Sequence, residues 1–228
     1  MSRPDIILIT IDSLRADSVG FLDEGAPATP TMDSFAKDST LKTAATTPSS
    51  HTRASVPALL TSQYAHCFFT NFLEDVEMQT IAQRLSEAGY DTAAFHSNPL
   101  LSRHFGYERG FDTFSDGLRF VENTRLPETV TRFYSKAFRL LRRFPYEPAE
   151  TITERAVNWL SERTSDAPAF LWVHYMDPHG PYALKRDGGY RDKFHSERLW
   201  RKAVTEPDAV TDAELAQLRD AYHKEVQH

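Results

Sequence analysis

Residues 5–12, DIILITID, are apolar at nearly every position and end in an acid. A strand that is apolar on both faces is typical of a parallel sheet lying between two layers of helices. Two later runs, at 90–96 and 169–175, repeat this pattern. Between them, residues 78–88 and 150–163 carry apolar side chains at helical spacing. The sequence therefore predicts an α/β fold, with a mostly parallel sheet sandwiched between helices.

The rest of the chain supplies further elements. Cap and stop signals and apolar spacing predict a helix capped at Thr29 and running to Ala36, a short strand at 41–45, an ordered loop at 106–114, a helix at 127–143, and a helix opened by a capping box of Thr211 and Glu214. A basic stripe on the helix at 127–143 is more typical of a solvated face than of an anion-binding surface. We expect a single domain covering residues 1–228.

Length, charge and cysteine content limit the class of protein. A chain of 228 residues, 40% of them hydrophobic, has the size and composition of a globular soluble protein. The net charge of −6 argues against nucleic-acid binding, and the single Cys67 excludes an internal disulfide and a cysteine-rich metal site. No apolar run reaches membrane-spanning length, and the N-terminus lacks a signal-peptide layout. We therefore expect a cytoplasmic location.

Polar residues follow each predicted buried strand. Asp12 closes the first strand, Ser97 and Asn98 follow the second, and Asp177 and His179 follow the third in a turn made rigid by glycine and two prolines. Ligands of parallel α/β sheets bind beyond the carboxyl ends of the strands, so these side chains fall where a site is expected. Asp12 is equally compatible with a simple turn or cap at the strand end.

Residues 46–62, TTPSSHTRASVPALLTS, place hydroxyl side chains in front of an apolar run that predicts a helix ending near Ser62. We place Thr52 at the N-terminus of this helix, where the dipole and the unpaired N–H groups favour an alkoxide or an oxyanion. A Thr in that position is more often only a cap. Pro57 fits the helix if it lies in the first turn, where its missing N–H needs no partner.

These groups suit the chemistry of oxyanion esters. A carboxylate such as Asp12 holds a hard divalent cation, and the cation lowers the pKa of a hydroxyl and offsets charge on the substrate. The hydroxyl of Thr52 attacks phosphorus or sulfur, and a histidine such as His179 serves the leaving group. The residue types therefore favour a metal-dependent hydrolase or transferase of phosphate or sulfate esters.

Short motifs follow one another in a recurrent order along nearly the whole chain. They are IILITIDSLRAD (6–17), TPTMDSFAKDS (29–39), TRASVPALLTS (52–62), GYDTAAFHSNP (89–99), RGFDTF (109–114) and FLWVHYMDPHGPY (170–182). In number and order they resemble the alkaline phosphatase superfamily, specifically its sulfatase-like branch. The resemblance implies a divalent cation as cofactor, with Ca²⁺, Mg²⁺, Mn²⁺ and Zn²⁺ all open. It also implies a small-molecule, glycan or lipid phosphate or sulfate ester as substrate.

The same resemblance assigns roles to individual residues. It implies that Asp12 is a metal ligand, that Thr52 is the nucleophile and a further metal ligand, and that His179 is the active-site histidine. It places Asn98 near the substrate. Further candidate substrate-binding residues are Arg53, His51 and Asp177.

The sequence departs from the family pattern at the nucleophile. Members that hydrolyse sulfate esters convert a Cys or Ser, in a Cys/Ser-x-Pro-x-Arg setting, to formylglycine. The spacing to Leu59 and Leu60 puts Thr52 at that position, and its extra methyl group forbids oxidation to an aldehyde. Phosphoryl chemistry is therefore slightly favoured. A second register, a formylglycine-type sulfatase using Ser49 with Arg53 four residues on, stays open, although His51 replaces the proline.

Other family features are missing from these 228 residues. Ser97 and Asn98 stand where the family has Lys-x-His, and the metal-binding Asp-His or Asp-Asn pair of the second half is missing. We expect that the chain is truncated at its C-terminus and that it binds metal weakly and turns over little alone. A pseudoenzyme acting as a binding or scaffold module is an alternative. A nucleotide-binding domain is disfavoured because no glycine-rich loop follows the first strand. The oligomeric state stays open.

Overall fold

The computed structural model describes residues 3–64, 73, 77–117, 146–182 and 190–227. Its strands are β1 (Ile6–Ile11), β2 (Asp91–His96), β3 (Thr113–Ser115) and β4 (Ala169–Tyr175). Its α-helices are α1 (Pro30–Lys37), α2 (Thr52–Thr61), α3 (Ile81–Glu87), α4 (Ala149–Glu162), α5 (Tyr190–Thr205) and α6 (Asp212–Val226). The predicted helix at 127–143 and Cys67 lie outside the described residues.

The strands form one sheet of order β1-β4-β2-β3. The central strand β2 pairs in parallel with β4, from Asp91 opposite Ala169 to His96 opposite His174, and in parallel with the short β3. Because the strands are parallel, their carboxyl ends lie at one edge of the sheet. The predicted parallel α/β architecture is confirmed.

The two faces of the sheet are covered by different helices. On one face, Phe170 and Trp172 of β4 pack in a cluster with Val56 and Leu60 of α2. On the other face, residues of β2 and β4 pack against Ile152 and Ala156 of α4. Because both faces are covered, β2 and β4 are buried at almost every position.

The edge strand β1 differs from the two central strands. Ile6 and Leu8 pack against the core, whereas Ile7 and Ile9 are each 55% exposed. The expectation that this run is covered on both faces is therefore wrong for β1. Its continuous apolar sequence resembles that of a central strand, but the strand order places it at the edge.

Local signals fix several element boundaries. Thr80 and Gln83 form a capping box at the start of α3, and Thr211 and Glu214 form the predicted one at the start of α6. Gly110 has φ +84°, and a side chain there would collide with the backbone of Gln83, so the loop after β2 packs tightly on α3. These contacts show why sequence signals located these helices well.

Other sequence expectations were wrong in detail. Residues 41–45 form no strand, and the predicted loop at 106–114 ends in the short strand β3. Helix α5 was not predicted. Thr29 stands at the N-cap of α1, but its hydroxyl accepts from the Gly20 amide and donates to the Asp33 carboxylate instead of capping the helix.

The described residues group into two compact units. Unit 1 contains residues 3–10, 46–64, 73, 77–117 and 146–176. Unit 2 contains residues 11–45, 177–182 and 190–227. The single domain over residues 1–228 stays a prediction.

Candidate active site

Thr52 is the first residue of α2 in unit 1. His51 is the N-cap in an extended conformation, and its carbonyl accepts hydrogen bonds from the amides of Ala54 (3.0 Å) and Ser55 (2.9 Å). No acidic residue lies in the first turn of this ten-residue helix. The half-buried Thr52 therefore stands at the positive end of the helix dipole, in an environment that favours an anion. The predicted helix start is confirmed.

The proline of α2 is one turn further along than expected. Pro57 is the sixth helical residue, not a first-turn residue, and it cannot donate to the carbonyl of Arg53 four residues earlier. Burial compensates for this loss, because Val56, Pro57 and Leu60 are all buried. The Thr61 hydroxyl also donates to the Pro57 carbonyl at 2.7 Å. The apolar side of α2 thus holds its N-terminus in place.

Ser49, the alternative nucleophile, lies three residues before α2 in irregular chain. Its hydroxyl accepts from the His51 amide at 3.2 Å, and its carbonyl accepts from the Thr47 hydroxyl at 2.9 Å. Ser49 is therefore part of the turn that leads into the helix, and it is outside the helical turn where the dipole acts most strongly.

Arg53 follows Thr52 and has an exposed side chain. Its guanidinium lies over the ring of Phe105, 5.5 Å from the ring centroid, at a distance typical of a cation–π contact. Burial raises the pKa of Tyr107, and the positive charge of Arg53 partly opposes this effect. The contact with Phe105 restrains a cationic group beside the candidate nucleophile.

Asn98 lies in the turn after β2 and is only 2% exposed. Its side-chain oxygen accepts from the Leu100 amide at 2.9 Å, and its Nδ2 donates to the sulfur of Met176 at 3.2 Å. Its backbone amide donates to Nδ1 of His96 at 3.2 Å. These bonds make Asn98 a support of the sheet edge, and its contact with substrate stays a prediction.

Two histidines lie at or next to the carboxyl ends of the adjacent strands β2 and β4. His96 and His174 stand opposite each other in the ladder, with ring centroids 6.4 Å apart. Both are buried. The Thr10 hydroxyl lies 2.9 Å from Nδ1 of His174 and accepts from the Trp172 indole at 3.0 Å.

Burial, and then the neighbouring His174, hold the pKa of His96 well below 6.5. Because Nδ1 of His96 accepts from the amide of Asn98, we assign the proton of the neutral ring to the buried Nε2. The sequence analysis did not single out His96. Its signal was present, because both central strands are apolar runs with a histidine near the carboxyl end.

Asp12 directly follows β1 and belongs to unit 2. The Ser13 hydroxyl donates to Oδ1 of Asp12 at 2.9 Å, and Ser13 itself has φ +60°. This left-handed conformation is uncommon for a residue with a side chain and occurs mostly where the surroundings impose it. Asp12 therefore stands in a tight turn, and the turn interpretation of this residue is compatible with a role as a ligand.

The turn that carries Asp177 and His179 also belongs to unit 2. Nδ1 of His179 lies 2.6 Å from the carbonyl of Gly180, so Nδ1 carries the proton and Nε2 is the basic nitrogen of the neutral ring. The Gly180–Pro181 peptide is cis. A side chain at position 180 would collide with the indole of Trp200 in α5, which explains the glycine.

A divalent cation fits the chemistry of the predicted ligands but not their number. The carboxylate of Asp12 and the hydroxyl of Thr52 are hard oxygen donors, as Mg²⁺ and Ca²⁺ require, but these cations take six or more oxygens. Within the described ranges, His, Cys, Asp and Glu side chains form no group of three or more that would hold a metal ion. The convergence of Asp12, Thr52 and His179 on one pocket stays a prediction.

The chain is thus an α/β protein with a parallel sheet. Polar residues lie beyond the carboxyl ends of its strands, and a threonine stands at the N-terminus of α2. The Sulfatase family model matches residues 4–226, and the chain belongs to the sulfatase family. No curated protein matches it. Across the described residues, every helix is too short or too polar to cross a membrane.

Solved structures share the fold at low sequence identity. A phosphonate monoester hydrolase of Agrobacterium radiobacter is 19% identical with a TM-score of 0.66, and 99% of this chain aligns with 57% of that one. The C-terminal periplasmic domain of EptC from Escherichia coli is 13% identical with a TM-score of 0.60, over 100% of this chain and 56% of that one. A protein in complex with its substrate D-glucosamine-2-N,6-O-disulfate is 17% identical with a TM-score of 0.56, over 99% and 58%. This chain thus spans little more than half the length of these structures.

Proposed function

We propose that this chain carries the nucleophile of a hydrolase or transferase of phosphate or sulfate esters, and that Thr52 is that nucleophile. The observation that carries the proposal is the position of Thr52 at the first residue of α2. There the backbone N–H groups of the first turn and the helix dipole stabilise an alkoxide before attack and an oxyanion after it. Membership of the sulfatase family supports the reaction class.

Phosphoesters are the favoured substrates. Thr52 cannot form an aldehyde, so it acts as an ordinary hydroxyl, which suits phosphoryl transfer better than the formylglycine route to sulfate esters. Ser49, the residue of the alternative route, lies outside α2. One structural neighbour is a phosphonate monoester hydrolase, and another is in complex with a sulfated glucosamine as its substrate. Both phosphate and sulfate esters are therefore compatible with the proposed reaction class. The substrate is a small-molecule, glycan or lipid ester of this kind.

Asp12 and His179 complete the proposed site. When bound, a divalent cation lowers the pKa of a coordinated hydroxyl and offsets negative charge on the substrate. Asp12 is its proposed carboxylate ligand, and Arg53 binds a non-bridging oxygen of the ester. His179 donates a proton to the leaving group from Nε2 when the ring is protonated, while Nδ1 stays bonded to the Gly180 carbonyl. His51, Asn98 and Asp177 are proposed substrate contacts.

Turnover by these 228 residues is expected to be slow because the proposed ligands are too few. The test is therefore covalent labelling, which needs only one reaction per molecule. The chain is incubated with a nitrophenyl phosphodiester and millimolar Mn²⁺, and the modified residue is located by peptide mass spectrometry. We expect a phosphoryl group on Thr52, lost in Thr52→Ala and retained in Thr47→Ala, a matched control five residues earlier.

Two outcomes contradict this proposal. Labelling of Ser49 in place of Thr52 assigns the nucleophile to the alternative register. A chain that stays unlabelled while it still binds Mn²⁺ and phosphate supports the pseudoenzyme function. The small number of metal ligands favours that alternative.

A further inference from the structure

Tyr222 of α6 makes two hydrogen bonds to the turn that follows β1. It is 7% exposed, and its hydroxyl accepts from the Arg15 amide at 2.8 Å and donates to the Ser13 carbonyl at 2.9 Å. All of these residues belong to unit 2. A phenol has one donor and at least one acceptor position, so a single side chain satisfies both backbone groups. The two contacted residues lie one and three positions after Asp12.

Part of this turn is exposed to solvent. The side chains of Ser13 and Arg15 are exposed, and the ion pair of Arg15 with Asp17 is exposed as well. Such surface pairs contribute little to stability. Ser13 nevertheless stays in the left-handed region and its hydroxyl donates to Asp12. The bonds from Tyr222 are buried contacts that restrain the backbone next to Asp12.

Tyr222 also contacts the second polar turn of unit 2. Its ring meets Tyr182 edge to face, with centroids 5.5 Å apart and an angle of 66° between the planes. Tyr182 lies three residues after His179. Burial raises the pKa of Tyr222, so its hydroxyl stays protonated at neutral pH and keeps its donor function.

We propose that Tyr222 is a positioning residue for the metal-binding carboxylate of Asp12, which makes α6 part of the active-site support. The role rests on the proposed function, because it requires Asp12 to bind a divalent cation. Hydrogen-bond partners behind metal ligands typically change metal affinity ten- to a hundredfold when removed, because they set the orientation of the ligand. Tyr222→Phe keeps the ring and removes both bonds.

The experiment measures Mn²⁺ affinity by electron paramagnetic resonance for the 228-residue chain and three variants. We expect Asp12→Ala to remove the site and Tyr222→Phe to weaken binding about tenfold. Tyr175→Phe is the matched control, because its hydroxyl is 2.7 Å from that of Thr153, in unit 1. It should leave Mn²⁺ affinity unchanged. Urea unfolding of each variant identifies conditions in which all of them are folded. Affinities measured under those conditions do not reflect a loss of stability.

Amide exchange of the wild-type chain provides a test that needs no Tyr222 variant. Because the Arg15 amide donates to Tyr222, ordering of the turn on binding Mn²⁺ should slow its exchange, and Asp12→Ala should abolish this effect. Unchanged exchange of Arg15 on Mn²⁺ binding, or unchanged affinity in Tyr222→Phe, overturns the positioning role. If Asp12→Ala binds Mn²⁺ like wild type, the proposed function itself fails at Asp12.

Discussion

His96 is a residue whose protonation is tied to folding. In the folded protein its ring is fully buried beside His174, Trp172 and Phe114, and its pKa lies well below 6.5. In the unfolded chain the ring takes up a proton near its ordinary pKa. Below about pH 6.5 the unfolded state therefore binds one proton more than the folded state, and acid destabilises the fold. Above that pH the ring is neutral in both states, so its titration no longer changes the stability.

We predict that the free energy of unfolding falls by up to about 1.4 kcal/mol per pH unit through His96 as the pH is lowered from 6.5. His96→Gln removes the titrating ring and should flatten the pH dependence between pH 5 and 6.5, even if it lowers stability overall. His195→Gln, at an exposed position of α5, is the control. Urea unfolding at a series of pH values measures the slope, and equal slopes in wild type and His96→Gln would refute this origin.

Gly180 sets the shape of the turn that carries His179. A methyl group at this position meets the indole of Trp200, a rigid side chain that cannot move aside cheaply. We predict that Gly180→Ala lowers the free energy of unfolding by about 1–3 kcal/mol, as overpacking does. Trp200→Leu makes room for the methyl group, so the double variant should lose less than the sum of the two single variants. Additive losses in denaturant unfolding would show that Gly180 has another role.

At the scale of elements, two capping boxes share one motif in different surroundings. Thr80 begins α3 and is 1% exposed, and its hydroxyl accepts from the Gln83 amide and donates to the Arg109 carbonyl at 3.1 Å. Thr211 begins α6 and is exposed. The same change at both sites therefore separates the cost of a lost cap from that of a lost tertiary hydrogen bond.

We predict that Thr211→Ala costs about 1 kcal/mol, the ordinary value for a cap. Thr80→Ala should cost about 2–3 kcal/mol, because the Arg109 carbonyl also loses its buried donor. Thermal or urea unfolding of the two variants gives the comparison. A larger loss in Thr211→Ala would mean that the contact with Arg109 does not contribute to stability.

Elements could be predicted from sequence where the signal is local. The apolar runs of β2 and β4, the apolar spacing of α3 and the capping box of α6 identified those elements to within a few residues. β3 was missed because it is three residues long and its pairing with β2 is a tertiary contact. Helix α5 was missed because its sequence from Tyr190 to Thr205 is strongly polar on average, although its few apolar residues lie at helical spacing.

The candidate site, too, was predictable only where its signal is local in sequence. The start of α2 at Thr52 follows from hydroxyls before an apolar run, which is a local pattern. The role of Tyr222 was not predictable, because its bonds join residues more than 200 positions apart in sequence. For the same reason the predicted convergence of Asp12 and Thr52 does not follow from local pattern, and it rests on the family resemblance.

At the scale of the whole molecule, the number of proposed ligands limits how tightly the chain would hold a cation. The sulfatase fold extends over 99% of this chain but only 57% of the phosphonate monoester hydrolase that it resembles. With Asp12 and Thr52 as the proposed ligands, water must fill most of the coordination sphere. The dissociation constant should then be on the order of 10⁻³ M, the weak end of the range for oxygen-ligand sites.

This affinity fixes how much a cation can stabilise the fold. Binding to the folded state alone adds RT ln(1 + [L]/Kd), so 1 mM Mn²⁺ should raise the free energy of unfolding by only about 0.4 kcal/mol, and Asp12→Ala should abolish the gain. Urea unfolding with Mn²⁺ and with EDTA measures it. A gain of about 2.7 kcal/mol would require a site roughly a hundredfold tighter. Such a site would need ligands beyond Asp12 and Thr52 within these 228 residues, and the expectation of weak metal binding would be wrong.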